Sequence, residues 1–320
     1  MSMRILLAVL LAAALPSAWA QVAYPARPLR LIVPFPPGAG TDVVARLVGG
    51  KLTNAWGQPV VVEFRPGASA TLGPDLVAKS APDGHTLVIV TSTFTMTPAL
   101  QKVPYDPVRD FTPIIMLAAV PNILMVHPSL PAKTLKELIQ LARARPGELT
   151  YASSGSGSVP HLTTEMLRLT VAPLDIVHVP YKGNAQSTIA LLSGEIAMAV
   201  VSMPSAMPFM ASGRLRPIAV TSARRSQAAP QVPTLAEAGA AGYDFASEWG
   251  LLFPAKVPAD VLAKMHGEVA KIIRMPDVAE RLAREGAEIM GLGPEEYAAA
   301  IRSSLAKWSK VVRAAKIGAD

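Results

Sequence analysis

The chain has 320 residues, no cysteine, 5% aromatic residues and a formal net charge of +7. Without cysteine there are no disulfides, no thiolate catalysis and no cysteine-ligated zinc. The cations are scattered, with Arg224-Arg225 the only adjacent pair, which excludes the basic, ring-studded stripe of a nucleic-acid binder.

Residues 1–20 read as a signal peptide: Arg4, an apolar run from Ile5 to Leu15, and Ala18-Trp19-Ala20 as the peptidase site. Cleavage is expected before Gln21, placing a mature chain of 300 residues in the periplasm. A retained anchor is the alternative, opposed by the short apolar run and by Pro16. A mature chain of this size exceeds what one core usually fills, so two lobes are expected.

In chain order, β-branched runs at 29–33, 60–63, 86–90, 122–126, 176–179, 196–201 and 215–220 predict strands. Helices alternate with them. Thr41-Asp42 opens an apolar stripe of Val43, Val44, Leu47 and Val48, and Thr134 with Glu137 forms a capping box. Further helices are expected around His161 to Leu169 and Ala185 to Leu192, and over 258–274, 276–285 and 294–315, the last three each with a proline in the first turn. This alternation predicts an α/β protein with largely parallel sheets.

Three strand-to-helix turns carry the chemistry. Val33 to Asp42 and Val179 to Asn184 both read Val-Pro-aromatic followed by glycine, one early in the chain and one past its middle. Each opens a helix, whose free N–H groups and positive dipole end attract carboxylate or phosphate without a lysine or arginine. The serine-glycine run from Ser153 to Ser158 precedes a third helix and offers hydroxyls and N–H groups to an anion. Each turn could also be only a tight connection or a linker. A hydrolase built on Ser156 and His161 is the alternative, but the run lacks the Gly-x-Ser-x-Gly spacing and the other histidines lie in turns, strands or a late helix. His161 has a capping role as its plainer reading. No metal motif is present, and no cofactor or metal is expected.

The segments VPFPPGAGTD, RPGA (65–68), PDGHTL, VPYDPVRDFTPI, SSGSGS with His161-Leu162 behind it, HVPYKGNAQ, PSAMP, VTSARRS, VPTLAEAG and the terminal KW resemble, in order along the mature chain, the tripartite tricarboxylate transporter receptors, the Bug-type extracytoplasmic solute receptors. The resemblance implies a type II periplasmic-binding-protein fold, with two α/β lobes joined by crossing strands around a ligand cleft. It places lobe one at 21–122 plus 246–320 and lobe two at 123–245. It implies capture of a small organic carboxylate for membrane permease subunits, with no catalytic role and as a monomer; a ligand-presenting sensor is the alternative. Carried over to this chain, Phe35, Ala39, Gly40, Thr41, Asp42, Thr91 and Ser92 form the first-lobe wall, and Ser153, Ser154, Tyr181, Lys182, Gly183 and Asn184 the second, with His161 and Ser202 beside them.

Two departures bear on the ligand. Phe64 to Ala70 replaces the family's Asn-Arg-Pro-Gly-Ala-Gly-Gly, losing an amide and two glycines. Val201-Ser202 stands where many members carry Asp-Asn, which removes a buried acid and favours a plain mono- or dicarboxylate over an amino acid. Glu248 could restore an acid or face solvent or a hinge, and Trp249 could be core or a flat wall for an aromatic acid.

Overall fold

The computed structural model describes residues 24–38, 40–171 and 174–318. The signal-peptide reading and the Ala39 assignment lie outside them.

One half is a parallel βα arrangement: β1 (Leu29–Val33), α1 (Gly40–Trp56), β2 (Val60–Phe64), α2 (Leu72–Ala78), β3 (Thr86–Thr91) and α3 (Thr93–Leu100). β1 lies between β2 and β3, parallel to both. The long β4 (Phe111–Val126) then leads into a second half: α4 (Leu135–Ala144), β5 (Leu149–Ser153), α5 (Val159–Thr170), β6 (Ile176–Pro180), α6 (Asn184–Ser193), β7 (Met198–Ser202), α7 (Met203–Ala211) and β8 (Arg216–Val220). Here β5 lies parallel between β6 and β7. The chain returns through β9 (Ala246–Pro254), followed by α8 (Ala259–Ile272), α9 (Pro276–Arg284), β10 (Glu288–Leu292) and α10 (Pro294–Ala315).

β4 and β9 join the halves. Phe111 to Pro121 of β4 pairs antiparallel with β9, whereas Asn122 to Val126 pairs with β7 and β8. The lobes therefore meet where β4 changes partners, between Pro121 and Asn122. Each half has its own core, Leu31, Ile89, Ile115, Leu251 and Met265 in the first and Leu124, Tyr151, Leu162 and Met198 in the second.

The last helix joins both. Tyr297 and Ile301 of α10 pack with Phe94 and Phe111 in the first lobe, but Trp308, Val311 and Val312 pack with Tyr151 and Leu162 in the second. The span 246–320, expected in lobe one, thus ends in packing with the second half, because a 22-residue helix is long enough to cross the junction.

Three strands, β5, β9 and β10, and the first eleven residues of β4 arise outside the runs read from sequence. Helices α2, α3 and α7 do so too. In α3 the segment TFTMTPAL is rich in β-branched threonine and carries Pro98, yet it is helical, with Phe94, Thr95, Met96 and Thr97 buried. Tertiary burial outweighs the local preference.

The segment 68–70, which includes the substituted Ser69 and Ala70, is locally strained. Ala68, Ser69 and Ala70 hold φ of 46°, 56° and 66°, in the left-handed region that non-glycine residues avoid. Ala68 is exposed, so glycine there would sacrifice no packing. Ala68→Gly is expected to raise stability by about 0.5–1 kcal/mol, the relief of the Cβ clash less the entropy of glycine. Urea denaturation checks this, and a lower midpoint for the variant would contradict the strain.

Candidate functional site

Between the lobes lies a cavity of about 460 Å³. Phe35 and Thr93 reach it from the first lobe, and Ser154, Ser158, Asn184 and Ser202 from the second. Its floor is the junction itself, with Asn122 on β4 and Ser247 on β9. Among the described residues lining it, none is charged.

Helix starts account for its polarity. α3, α5, α6 and α7 each place a residue of the first turn or the cap at the wall: Thr93, Ser158, Asn184 and Ser202. At none of the four does the cap side chain accept from a backbone N–H of the helix, so first-turn N–H groups other than that of Thr93, which Thr91 Oγ1 takes at 3.3 Å, are left to other acceptors. Together with the dipoles, these helix starts favour a negative charge in the cavity without a cation. Val159, Pro160, Val200 and Val201 supply an apolar side. Asn122 is 3% exposed and its Oδ1 has no protein partner, so this floor residue retains hydrogen-bonding capacity. An adjoining cavity of about 590 Å³ shares Phe35, Thr93 and Ser158 and runs out past Ser69 and Ala70, lengthening the cleft.

The predicted residues divide. Phe35, Ser154, Asn184 and Ser202 come together at the cavity. The start of α1 does not line it. Asp42 is occupied by the Gly38 N–H (2.9 Å) and by Arg46 Nε (2.6 Å). Thr41 is buried and accepts from Trp249 Nε1–H at 3.2 Å. A Cβ at Gly40 would come within 3.2 Å of the same indole, so glycine there allows the ring to cover the helix start. Trp249 is therefore a packing residue of the first lobe.

Thr91 Oγ1 lies 2.9 Å from Thr93 Oγ1 and braces it, while buried Ser92 accepts from the Glu248 N–H at 3.1 Å. Ser153 is fully buried, its Oγ 2.6 Å from His178 Nε2. His161 accepts from the Gly157 N–H at 2.9 Å and stacks on His178 with ring centroids 3.9 Å apart. Burial pushes His161 below its ordinary value, helped by Arg168, and takes His178 down to about 4, helped by His161. This neutral pair shapes the serine-glycine turn from within. Tyr181 donates to Glu195 at 2.8 Å, Lys182 is exposed, and Gly183 caps α6 with φ 103°.

Sequence reasoning missed Thr93, Asn122, Ser158, Ser187, Thr188, Ser205 and Ser247. Ser158 had a signal, since it ends the serine run two residues before Pro160 in the first turn of α5. Ser205 lies one turn beyond Ser202, whose Oγ donates to it at 2.9 Å. Asn122 and Ser247 had none, because they meet only through the pairing of β4 with β9.

The profile described as Tripartite tricarboxylate transporter family receptor matches residues 44–317. Protein BugT of Bordetella pertussis is 36% identical over 295 residues, 91% of this chain and 90% of that protein. Among solved structures, an R. palustris protein with adipate superposes with a TM-score of 0.76 at 36% identity, covering 92% of this chain and 99% of that one. MatC from Rhodopseudomonas palustris with bound malate gives 0.73 at 31%, covering 90% and 100%. The chain belongs to the tripartite tricarboxylate transporter receptor family, of the Bug type, whose members are solute-binding receptors and not enzymes.

Proposed function

We propose that this protein is a periplasmic receptor that binds a small organic mono- or dicarboxylate between its lobes and delivers it to the permease subunits of a tripartite transporter. The observation that carries the reading is the convergence of four helix starts on one cavity whose described lining residues carry no charge. Such a site stabilises a carboxylate by N–H groups and hydroxyls, and the absence of an acid in the lining leaves an ammonium group without a counter-charge. Adipate and malate in the solved relatives support the same ligand class.

Phe35, Thr93, Asn122, Ser154, Ser158, Asn184 and Ser202 form the ligand-facing set in this reading. Residues 21–122 with 246–320, and 123–245, act as the two lobes, with α10 spanning them, and the receptor works as a monomer.

Mass spectrometry of the denatured, purified mature chain would identify a retained ligand. On stripped protein, a carboxylate at 100 times its Kd should stabilise the fold by about 2.7 kcal/mol, which is a melting shift of a few degrees for a chain of this size. A panel including adipate and malate tests this. No shift with any mono-, di- or tricarboxylate would defeat the proposal, and co-purification with a membrane kinase in place of a permease would move it to sensing.

A further inference from the structure

Side chains alternate along β9. Ser247 lines the ligand cavity and Trp249 packs on the start of α1, but Glu248 turns to the opposite face of the crossing strands. There a second cavity of about 250 Å³ opens behind the junction, bounded by Ser92 and Thr95, by Ala119 of β4, and by Ser303 and Lys307 of α10. Lys307 lines the same cavity but directs Nζ to the carbonyl of Asp244 at 3.0 Å, and among the described residues Glu248 forms no ion pair. Burial raises the Glu248 carboxyl to about 7 despite the opposing pull of Lys307.

The charged and titratable neighbours are few. α10 contributes Lys307, itself lowered by burial against the pull of Asp244 and Glu248, and the buried Tyr297 hydroxyl, which burial and Glu248 raise. Asp244 precedes β9 and lines the cavity. β10 contributes Glu288, in register with Ala119 and so in the row of Glu248 across β4, where it accepts from the Gln227 N–H at 3.3 Å. α3 and β4 present only neutral groups, Ser92, Thr95, Met116 and Ala119.

The two cavities lie on opposite faces of the strands that join the lobes, and α10 closes the rear one while packing into both cores. A rotation about those strands that widens the front narrows the back. A carboxylate favours the wider, wetter rear cavity, and a neutral carboxyl tolerates the narrow one. Glu248 is also tied to the ligand side directly, because its N–H bonds to Ser92, the cap residue of α3, whose next residue is Thr93.

We propose that Glu248 is a proton-operated latch behind the hinge: ionised, it holds the lobes closed on the carboxylate, and uptake of one proton lets them open and release it. This rests on the receptor reading above and adds its regulation.

The test uses the mature chain with two readouts. The chain has no native cysteine, so Val61→Cys and Ile189→Cys, at exposed positions on β2 and α6, carry a spin-label pair that reports lobe separation without ligand. Between pH 8.5 and 6.5 the distance should lengthen with a midpoint near 7, and Glu248→Gln should be long at both. Adipate is the affinity probe, since ordinary carboxylates stay ionised over this range. Its affinity should fall several-fold from pH 8.5 to 6.5 in the wild type and be weak and flat in Glu248→Gln. Lys307→Met, which removes the opposing cation, should move the midpoint upward and covers the case of a Gln variant that misfolds. A pH-independent separation, or a pH response unchanged in Glu248→Gln, overturns the latch. Adipate binding that ignores pH sinks the latch and leaves the receptor reading intact. Lobe motion that follows Glu248 without adipate binding at any pH supports the latch and counts against adipate-class ligands.

Discussion

Gly250→Ala is expected to destabilise the fold by about 3 kcal/mol or more, the upper range for overpacking a rigid interior. Gly250 lies on β9 between Val90 of β3 and Met116 of β4. A Cβ there would stand 2.0 Å from the Tyr297 hydroxyl oxygen and 2.3 and 2.5 Å from two ring carbons. Neither side can yield, since the strand is paired on both edges and Tyr297 is 1% exposed within the first turn of α10. The damage should reach the ligand site, because the other end of α10 is part of the second-lobe core. Tyr297→Phe alone should be neutral or slightly stabilising, as the hydroxyl it removes is buried without a partner. Combining Gly250→Ala with Tyr297→Ala should cost clearly less than the sum of the two, since the second change removes the obstacle. Denaturant midpoints for the cycle settle it, and simple additivity would show that the contact is not the cause.

The elements legible in the sequence are those whose environment matches their local pattern. LRLIV and TLVIVT read as strands because both are buried along nearly their whole length. The capping box at Thr134 and Glu137 is present as read, with the Glu137 N–H bonded to Thr134 Oγ1 at 3.2 Å. The crossing strands resisted reading for opposite reasons. β4 carries Pro113 and Pro121, which argue against a central strand, and its ladder with β9 tolerates this through register shifts near Pro113 and Met116. β9 begins Ala-Ser-Glu, a stretch that resembles a loop, because these residues face two cavities in place of a core. The family resemblance implied crossing strands and the run at 122–126 read as a strand, but nothing local showed that this strand crosses or that Asn122 meets Ser247. The same gap explains α10: its amphipathic pattern announces a buried face, not that the face passes from one core to another.

Asn122→Asp is expected to weaken binding of a dicarboxylate such as adipate by 100-fold or more with little change of shape. Asn122 is fixed by its backbone, whose N–H donates to Thr221 Oγ1 at 3.1 Å and whose carbonyl accepts from the Thr221 N–H at 2.8 Å. The side chain is therefore presented at the cavity floor by bonds the substitution leaves intact. Asparagine and aspartate are nearly isosteric, so charge is the variable. Two anions about 4 Å apart at an effective dielectric near 20 repel by about 4 kcal/mol, and the introduced carboxylate would also compete for the same helix-start N–H groups. Asn122→Ala separates the effects, because it removes only the amide and should cost about tenfold or less, the scale of one or two hydrogen bonds. Calorimetry on the stripped wild type and both variants reads the difference, with melting curves to confirm that each is folded. Equal losses in the two variants would mean that the ligand's negative charge lies elsewhere, and with it the role assigned to this floor.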